Sequence, residues 1–113
     1  MSKREEKIAL YQKAADNLGL SLDPRLIEKV TLALGPSIYN KDAETVSCSD
    51  PAELERVREN FLKKKLELTL EDAALDAAIR EVCETMGSAN RQKYRALFYA
   101  LLATKFDKTS IYA

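Results

Sequence analysis

The apolar segment at residues 94–106 constrains the fold more than any other part of this chain. Residues 96–103 form an unbroken apolar run. At a helical period, large side chains fall on one face and alanines on the opposite face. The large-residue face comprises Tyr94, Leu97, Phe98, Leu101 and Lys105, and the alanine face comprises Ala96, Ala100 and Ala103. Because the run is far shorter than the roughly 20 residues that span a bilayer, it predicts a central helix covered by protein on two sides, and no membrane association.

The composition is typical of one helical domain. The chain has 113 residues, of which 46% are apolar and 32% charged, with only three glycines and three prolines. A chain of this length can bury one hydrophobic core without added staples. We therefore expect a single all-α domain over residues 1–113, with five or six helices around the C-terminal helix. The net charge is zero, so no overall field attracts nucleic acid or anionic lipid.

The absence of histidine argues against most enzymatic and metal sites. It removes the commonest general base and the commonest transition-metal ligand, so catalysis by Ser-His-Asp or Cys-His groups is excluded. A pair of carboxylates could in principle act as acid and base, but most acidic residues stand at helix starts or on solvated faces. We expect no cofactor, no metal and no enzyme activity.

The two cysteines, Cys48 and Cys83, are too few for a disulfide framework, and their spacing matches no metal-ligand motif. Both are expected to be reduced. The first residues lack the apolar region of a secretory signal. These observations predict a cytoplasmic protein.

Capping signals predict two helices in the first third of the chain. Ser2 with Glu5 forms a capping box for a helix that ends at Gly19. Asp23, followed by a proline, begins a second helix that ends at Gly35.

The remaining helices are predicted in the same way. Asp50 with Glu53 forms a second capping box, which begins a third long helix. Thr69 caps an acidic amphipathic helix that ends at Gly87, and Ser88 caps the central helix.

A basic strip on the central helix is the first candidate binding site. Residues 88–105 carry no acid and four basic side chains, which are Arg91, Lys93, Arg95 and Lys105. On a helix, Arg91 and Arg95 lie one turn apart and Tyr99 lies a further turn on, which gives a cationic strip beside an aromatic ring that could grip a phosphate or an acidic partner. Asn90 and Lys93 belong to the same candidate site. The alternative is that these cations neutralise the preceding acidic helix, which carries Asp76, Glu81 and Glu84.

The segment at residues 37–42 is the second candidate, because it lacks a clear period and offers polar groups at close spacing. Tyr39, Asn40 and Asp42 supply hydroxyl, amide and carboxylate groups. The alternative is turn chemistry, in which Asn40 and Asp42 bond their own backbone. A short helix at about residues 42–46 is a further expectation.

Several short segments together resemble a family of small bacterial proteins, a domain of unknown function numbered 2853. The segments are Lys29-Val30-Thr31, Gly35-Pro36-Ser37-Ile38-Tyr39-Asn40, Asp42-Ala43, Ser49-Asp50-Pro51, Glu53-Leu54, Asn60-Phe61-Leu62 and Lys93-Tyr94-Arg95-Ala96. The resemblance covers essentially the whole chain and implies a compact helical domain from a bacterium. It implies no activity and no catalytic residue. Cys48 and Ser37 depart from it, since alanine is expected at both positions, and no redox role is attached to Cys48.

Two functions remain open from the sequence. The favoured one is a non-catalytic interaction module that binds a protein partner or a second copy of itself. The alternative is binding of an anionic ligand, either nucleic acid or a phosphorylated small molecule, at Arg91, Lys93 and Arg95. Of these ligands, nucleic acid is not favoured.

Overall fold

Side-chain caps begin three of the helices where the sequence predicts them. The computed structural model describes residues 2–113, so Met1 of the expected domain lies outside it. The Ser2 hydroxyl accepts from the amide of Glu5 at 3.1 Å, and Asp23 and Asp50 accept from amides two residues ahead. These bonds satisfy amides that a helix start otherwise leaves without partners.

The described residues form six α-helices, joined by short 3₁₀ and π segments. The α-helices are α1 (Lys3–Asn17), α2 (Pro24–Leu34), α3 (Lys41–Glu44), α4 (Pro51–Arg56), α5 (Asp72–Met86) and α6 (Arg95–Lys105). Two 3₁₀ helices cover Gly35–Tyr39 and Thr109–Tyr112. A π-helix, Val57–Lys65, continues directly from α4, so the predicted third long helix exists but widens half-way. Residues 2–113 contain no β-strand, only one isolated bridge between Thr45 and Tyr94.

Helix α6 is the centre of the core, as the sequence predicts. Leu97, Phe98, Ala100, Leu102 and Ala103 are fully buried. The helix packs against α1, α2, α3 and α5, which covers both its large-residue and its alanine face. Because the alanines leave room for a neighbouring backbone, α6 can be enclosed in this way. In residues 2–113, the buried apolar side chains other than Ile8 join into one cluster, and the Cα radius of gyration is 13.1 Å.

The chain end also packs onto this core. Tyr112 is buried in the last 3₁₀ helix, which contacts α2 and α6, whereas Ile111 stays 39% exposed. Burial raises the pKa of the Tyr112 phenol to about 12, with a smaller contribution from Tyr99. Within residues 2–113, no helix is long and apolar enough to cross a membrane.

Two predicted helix starts are wrong. Helix α5 begins at Asp72 after Glu71, not after Thr69, and α6 begins at Arg95 rather than just after Ser88. Gly87 ends α5 with a φ of +98°, a conformation that favours glycine. The side chain of Asn90 then bonds the carbonyl of Met86 and the amide of Gln92. These bonds hold residues 88–94 in an irregular path, since the backbone finds partners there without forming a helix.

Glu53 also differs from its predicted role. The sequence assigns it to a capping box, but its carboxylate accepts hydrogen bonds from the guanidinium groups of Arg56 and Arg95. Glu53 is thus the charge partner of the Arg95 guanidinium rather than a helix cap, because a buried cation needs an opposite charge beside it.

Candidate binding groove

A groove of about 570 Å³ lies between the segment at residues 45–49 and the chain around the end of α5. We call it the disulfide groove. Its lining residues are Thr45, Val46, Ser47, Cys48, Ser49, Cys83, Glu84, Ser88, Asn90, Arg91 and Lys93.

A disulfide joins the two walls of this groove. Cys48 and Cys83 are bonded, with their Cα atoms 6.1 Å apart, so the expectation of two reduced cysteines is wrong. The cysteines lie 35 positions apart in the sequence, and they meet because residues 45–50 fold back over the last turns of α5. A pairing of this kind cannot be deduced from cysteine spacing alone.

Backbone pairing fixes the same segment from the other side. The amide of Val46 donates to the carbonyl of Lys93 at 2.8 Å, beside the bridge between Thr45 and Tyr94. The loop from residue 45 therefore has two independent attachments, one covalent and one through the backbone.

Lys93 is the most unusual residue of the groove. It is only 7% exposed, yet its ammonium group has no carboxylate within 4.0 Å among residues 2–113. Its one partner is the carbonyl of Asn90, to which Nζ donates at 2.5 Å. An ammonium group has three donors, of which the carbonyl of Asn90 takes one. Buried cations are normally paired with anions, so these surroundings are unusual for a buried lysine.

Arg91 adds a second cation and Glu84 a single anion. The Arg91 side chain is exposed and makes no ion pair or hydrogen bond within the described part of the chain, and Glu84 makes no ion pair there either. Hydroxyl groups of Ser47, Ser49 and Ser88 complete the polar lining. With two cations and one carboxylate, the groove carries a net positive charge.

Arg95, which the sequence places in the same strip, lies elsewhere. Its guanidinium is buried against Glu53, donates to the carbonyls of Ala43 and Thr45 at 2.7 and 3.3 Å, and donates to the Tyr99 hydroxyl at 3.0 Å. Burial by itself favours the neutral form, but the contributions of Tyr99 and Glu53 outweigh it and raise the pKa of Arg95. Its donors are committed to the protein. The predicted strip therefore does not form, because residues 88–94 are not helical and Arg91 is not one turn from Arg95.

The sequence also suggests that the four cations neutralise the acidic helix α5. In the described residues this is true of Lys105 alone, which pairs with Glu81 at 2.7 Å. Other acids of α5 are paired from the π-helix instead, where Arg58 contacts Asp76 and Lys63 contacts Asp72. Lys93 and Arg91 are thus left out of the neutralisation of α5.

The second candidate segment is separate from the groove. The side chain of Asn40 accepts from the amide of Asp42 at 2.9 Å and caps α3, which is the turn chemistry expected as the alternative. Tyr39 is 48% exposed, and none of these three residues lines the disulfide groove. The expected short helix is present at Lys41–Glu44, where it begins one residue and ends two residues earlier than predicted.

A polar cluster links α1 to α3 near this segment. Glu44 accepts from Lys7 and from the hydroxyl of Tyr11, both at 2.6 Å. Burial and the bond to Glu44 raise the pKa of Tyr11. The cluster is internally satisfied and holds two helices together, so it has a sufficient structural role.

Of the seven candidate residues from the sequence, the groove brings together Asn90, Arg91 and Lys93. Arg95, Tyr39, Asn40 and Asp42 lie outside it. Sequence reasoning missed Cys48, Cys83 and the serine hydroxyls, for which no spacing or periodicity gives a signal. In the described residues, no three cysteine or carboxylate side chains are grouped as metal ligands.

A family model matches nearly the whole of this chain. Residues 9–110 match the family model described as "Protein of unknown function (DUF2853)". The chain belongs to the DUF2853 family. The match spans nearly the whole of this DUF2853 protein, including α2 to α6 and every residue of the groove. Among curated proteins, none is significantly similar to it in sequence.

Proposed function

We propose that this DUF2853 protein is a small binding domain whose disulfide groove holds an anionic small molecule. The observation that carries the proposal is Lys93, a residue only 7% exposed whose ammonium group has no carboxylate within 4.0 Å in residues 2–113, and which lines the groove. Burying an uncompensated cation is costly, and an anion from solution would supply the missing partner. Arg91 stands in the same groove and can contact the same ligand.

The size and charge of the groove favour a small molecule over nucleic acid. A volume of about 570 Å³ falls within the usual range for small-molecule sites, about 300–1,000 Å³. Nucleic acid binding needs many cations along a surface, whereas Arg95 and Lys105 are committed to Glu53 and Glu81. A phosphorylated or carboxylated metabolite fits two free cations and several hydroxyl groups.

Titration of the protein with inorganic phosphate, pyrophosphate and citrate, followed by amide NMR, tests this proposal. We expect chemical-shift changes at residues 45–49 and 84–93, and an affinity that falls with added salt. Arg91→Gln and Lys93→Gln should each weaken binding several-fold. Arg80→Gln is the matched control, because Arg80 is exposed on α5 and does not line the groove. Binding that is absent, or that is unchanged in both groove variants, would refute the proposal.

A second candidate function is the protein-interaction module expected from the sequence, and one surface supports it. Leu10 in α1 and Leu18 just after its end are 41% and 37% exposed, and they line a shallow cleft of about 370 Å³ with Ala14 and Tyr94. An apolar side chain of a protein partner or of a second copy would fit there. The other exposed apolar residues, Leu32, Tyr39, Leu70 and Ile111, lie away from this cleft.

Light scattering coupled to size exclusion, with cross-linking in a bacterial lysate, tests this second function. A dimer or a single cross-linked partner should be lost in Leu10→Glu with Leu18→Glu and retained in Leu32→Glu. If the dimer or the cross-linked partner is retained in the double variant, the interface does not lie at this cleft. If the parent protein is a monomer that forms no cross-links, the interaction function is refuted.

The proposal includes a bacterial cytoplasmic setting, in which disulfides are usually exchangeable rather than permanent.

A further inference from the structure

We propose that the disulfide groove takes a small thiol that carries carboxylate groups, and that this thiol opens the Cys48–Cys83 bond and stays attached to Cys83 as a mixed disulfide. The inference rests on the anion binding proposed above and names the chemical class of the ligand. It assigns one role to the two features that the groove combines, a disulfide and two cations that have no carboxylate partner within residues 2–113.

The placement of the sulfurs supports this class of ligand. Cys48 and Cys83 both line the groove and are both only partly buried, so a thiolate can reach the bond from solvent. Arg91 and Lys93 line the same groove. A ligand whose carboxylates bind these cations would hold its own sulfur beside the disulfide, which raises the local concentration of the attacking group.

The position of each cysteine decides which sulfur is attacked. Cys83 lies in the last turn of α5, followed directly by Glu84, where the helix dipole and the carboxylate disfavour a thiolate. Cys48 lies in a turn outside the helices, so a thiolate there does not face a helix C-terminus, and it shares the groove with Arg91 and Lys93. Cys48 is therefore the better leaving group, and exchange is faster when the better group leaves.

The exchange balances without a further reactant. The ligand thiolate attacks Sγ of Cys83, a new sulfur–sulfur bond forms there, and the electron pair of the old bond leaves on Sγ of Cys48, which takes up a proton as the solution pH allows. A second equivalent of the same thiol would attack the mixed disulfide. It would release the oxidised ligand as a symmetric disulfide and leave Cys48 and Cys83 as thiols.

The fold tolerates this opening. After the bond breaks, Val46 still bonds the carbonyl of Lys93, and Arg95 still bonds the carbonyl of Thr45. Residues 47, 49 and 50 are exposed, so only this short stretch must move to make room for the adduct.

The experiment compares four thiols at equal thiolate concentration without oxygen. Mercaptosuccinate and glutathione carry two carboxylates, 2-mercaptoethanol is neutral and cysteamine is cationic. Alkylation followed by intact mass measurement gives the rate of adduct formation. We expect mercaptosuccinate to react roughly tenfold faster than 2-mercaptoethanol, with a ratio that falls with salt, and cysteamine to be slowest. Tryptic digestion should place the adduct on the peptide at residues 81–91 and the alkyl group on residues 42–56.

Variants test whether the cations produce this selectivity. Arg91→Gln and Lys93→Gln should each move the mercaptosuccinate-to-mercaptoethanol ratio toward one, and Arg80→Gln should keep it. The ratio is an internal control, because a general loosening of the fold accelerates both thiols. Equal rates for all four thiols, or an adduct on Cys48, would overturn the inference. If phosphate binds the groove but thiols show no selectivity, only the inference fails. If phosphate does not bind and selectivity is also absent, the proposed function fails as well.

Discussion

Arg95 and Glu53, 42 positions apart in the sequence, form an ion pair whose two side chains are only 14% and 10% exposed. The pair connects the start of α6 to α4, and the same guanidinium bonds the carbonyls of Ala43 and Thr45. It thus stabilises the junction of three chain segments, which are the start of α6, α4 and residues 43–45.

Removal of this guanidinium should be strongly destabilising. Arg95→Ala leaves the Glu53 carboxylate and two carbonyls without their buried partner, and breaking a buried pair in this way costs about 3 kcal/mol or more. Urea unfolding followed by circular dichroism measures the loss. Arg56→Ala is the matched control, because Arg56 bonds the same carboxylate from a side chain that is 59% exposed, where a pair contributes less than about 1 kcal/mol. Equal losses in the two variants would contradict this account.

The hydroxyl of Tyr11 should stabilise the contact between α1 and α3. Tyr11→Phe removes its bond to the Glu44 carboxylate and should lower the free energy of unfolding by about 2 kcal/mol, as for other hydrogen bonds to charged groups. Tyr39→Phe, at a residue that is half exposed, should change it by less than about 0.5 kcal/mol. If thermal or urea unfolding of the two variants is indistinguishable, the Tyr11 bond has no net stabilising effect.

The disulfide should contribute to stability at neutral pH. It closes a chain segment of 35 residues, so replacing both cysteines in Cys48→Ser with Cys83→Ser should cost about 3–4 kcal/mol through the freer unfolded chain. Parent protein treated with a phosphine reductant should lose a similar amount, which separates the cross-link from the substitutions. The domain should stay folded in both cases, since the core around α6 does not depend on the bond. An unchanged urea midpoint would show that the disulfide does not contribute to the free energy of unfolding.

Stability should fall at high pH through Tyr112. Its pKa is raised from 10.0 to about 12 in the folded protein, so between these values the unfolded chain loses a proton that the folded chain retains. The stabilisation is complete below pH 10 and is lost as the pH rises toward 12. Urea unfolding at pH 8 to 11.5 should show this decline, and Tyr112→Phe should lessen it while leaving stability at pH 7 nearly unchanged. A decline of equal slope in Tyr112→Phe would assign the effect to other groups.

Local signals predicted much of this fold. The caps at Ser2, Asp23 and Asp50 and the apolar period of α6 depend on neighbours within one or two helical turns, and each is found where expected. The all-α class and the central position of α6 follow from the same patterns.

The site was less predictable because distant contacts decide it. Val46 bonds the carbonyl of Lys93, and residues 88–94 do not join the helix that Ser88 was predicted to begin. Without that helix, Arg91 and Arg95 do not share one helical face. The cysteine pairing and the burial of Lys93 arise from the same folding-back of residues 45–50. None of these leaves a periodic trace in the sequence.

The disulfide has one more consequence, for the response of the chain to mechanical force. The bond connects Cys48 directly to Cys83, so α4, the π-helix and most of α5 lie in a closed loop between the two cysteines. A pull applied at the two chain ends passes through the sulfur atoms and bypasses these elements. Extension would stop roughly 120 Å short of the full contour, at about 3.3–3.6 Å for each bypassed residue. Reduction would release that hidden length in a single step.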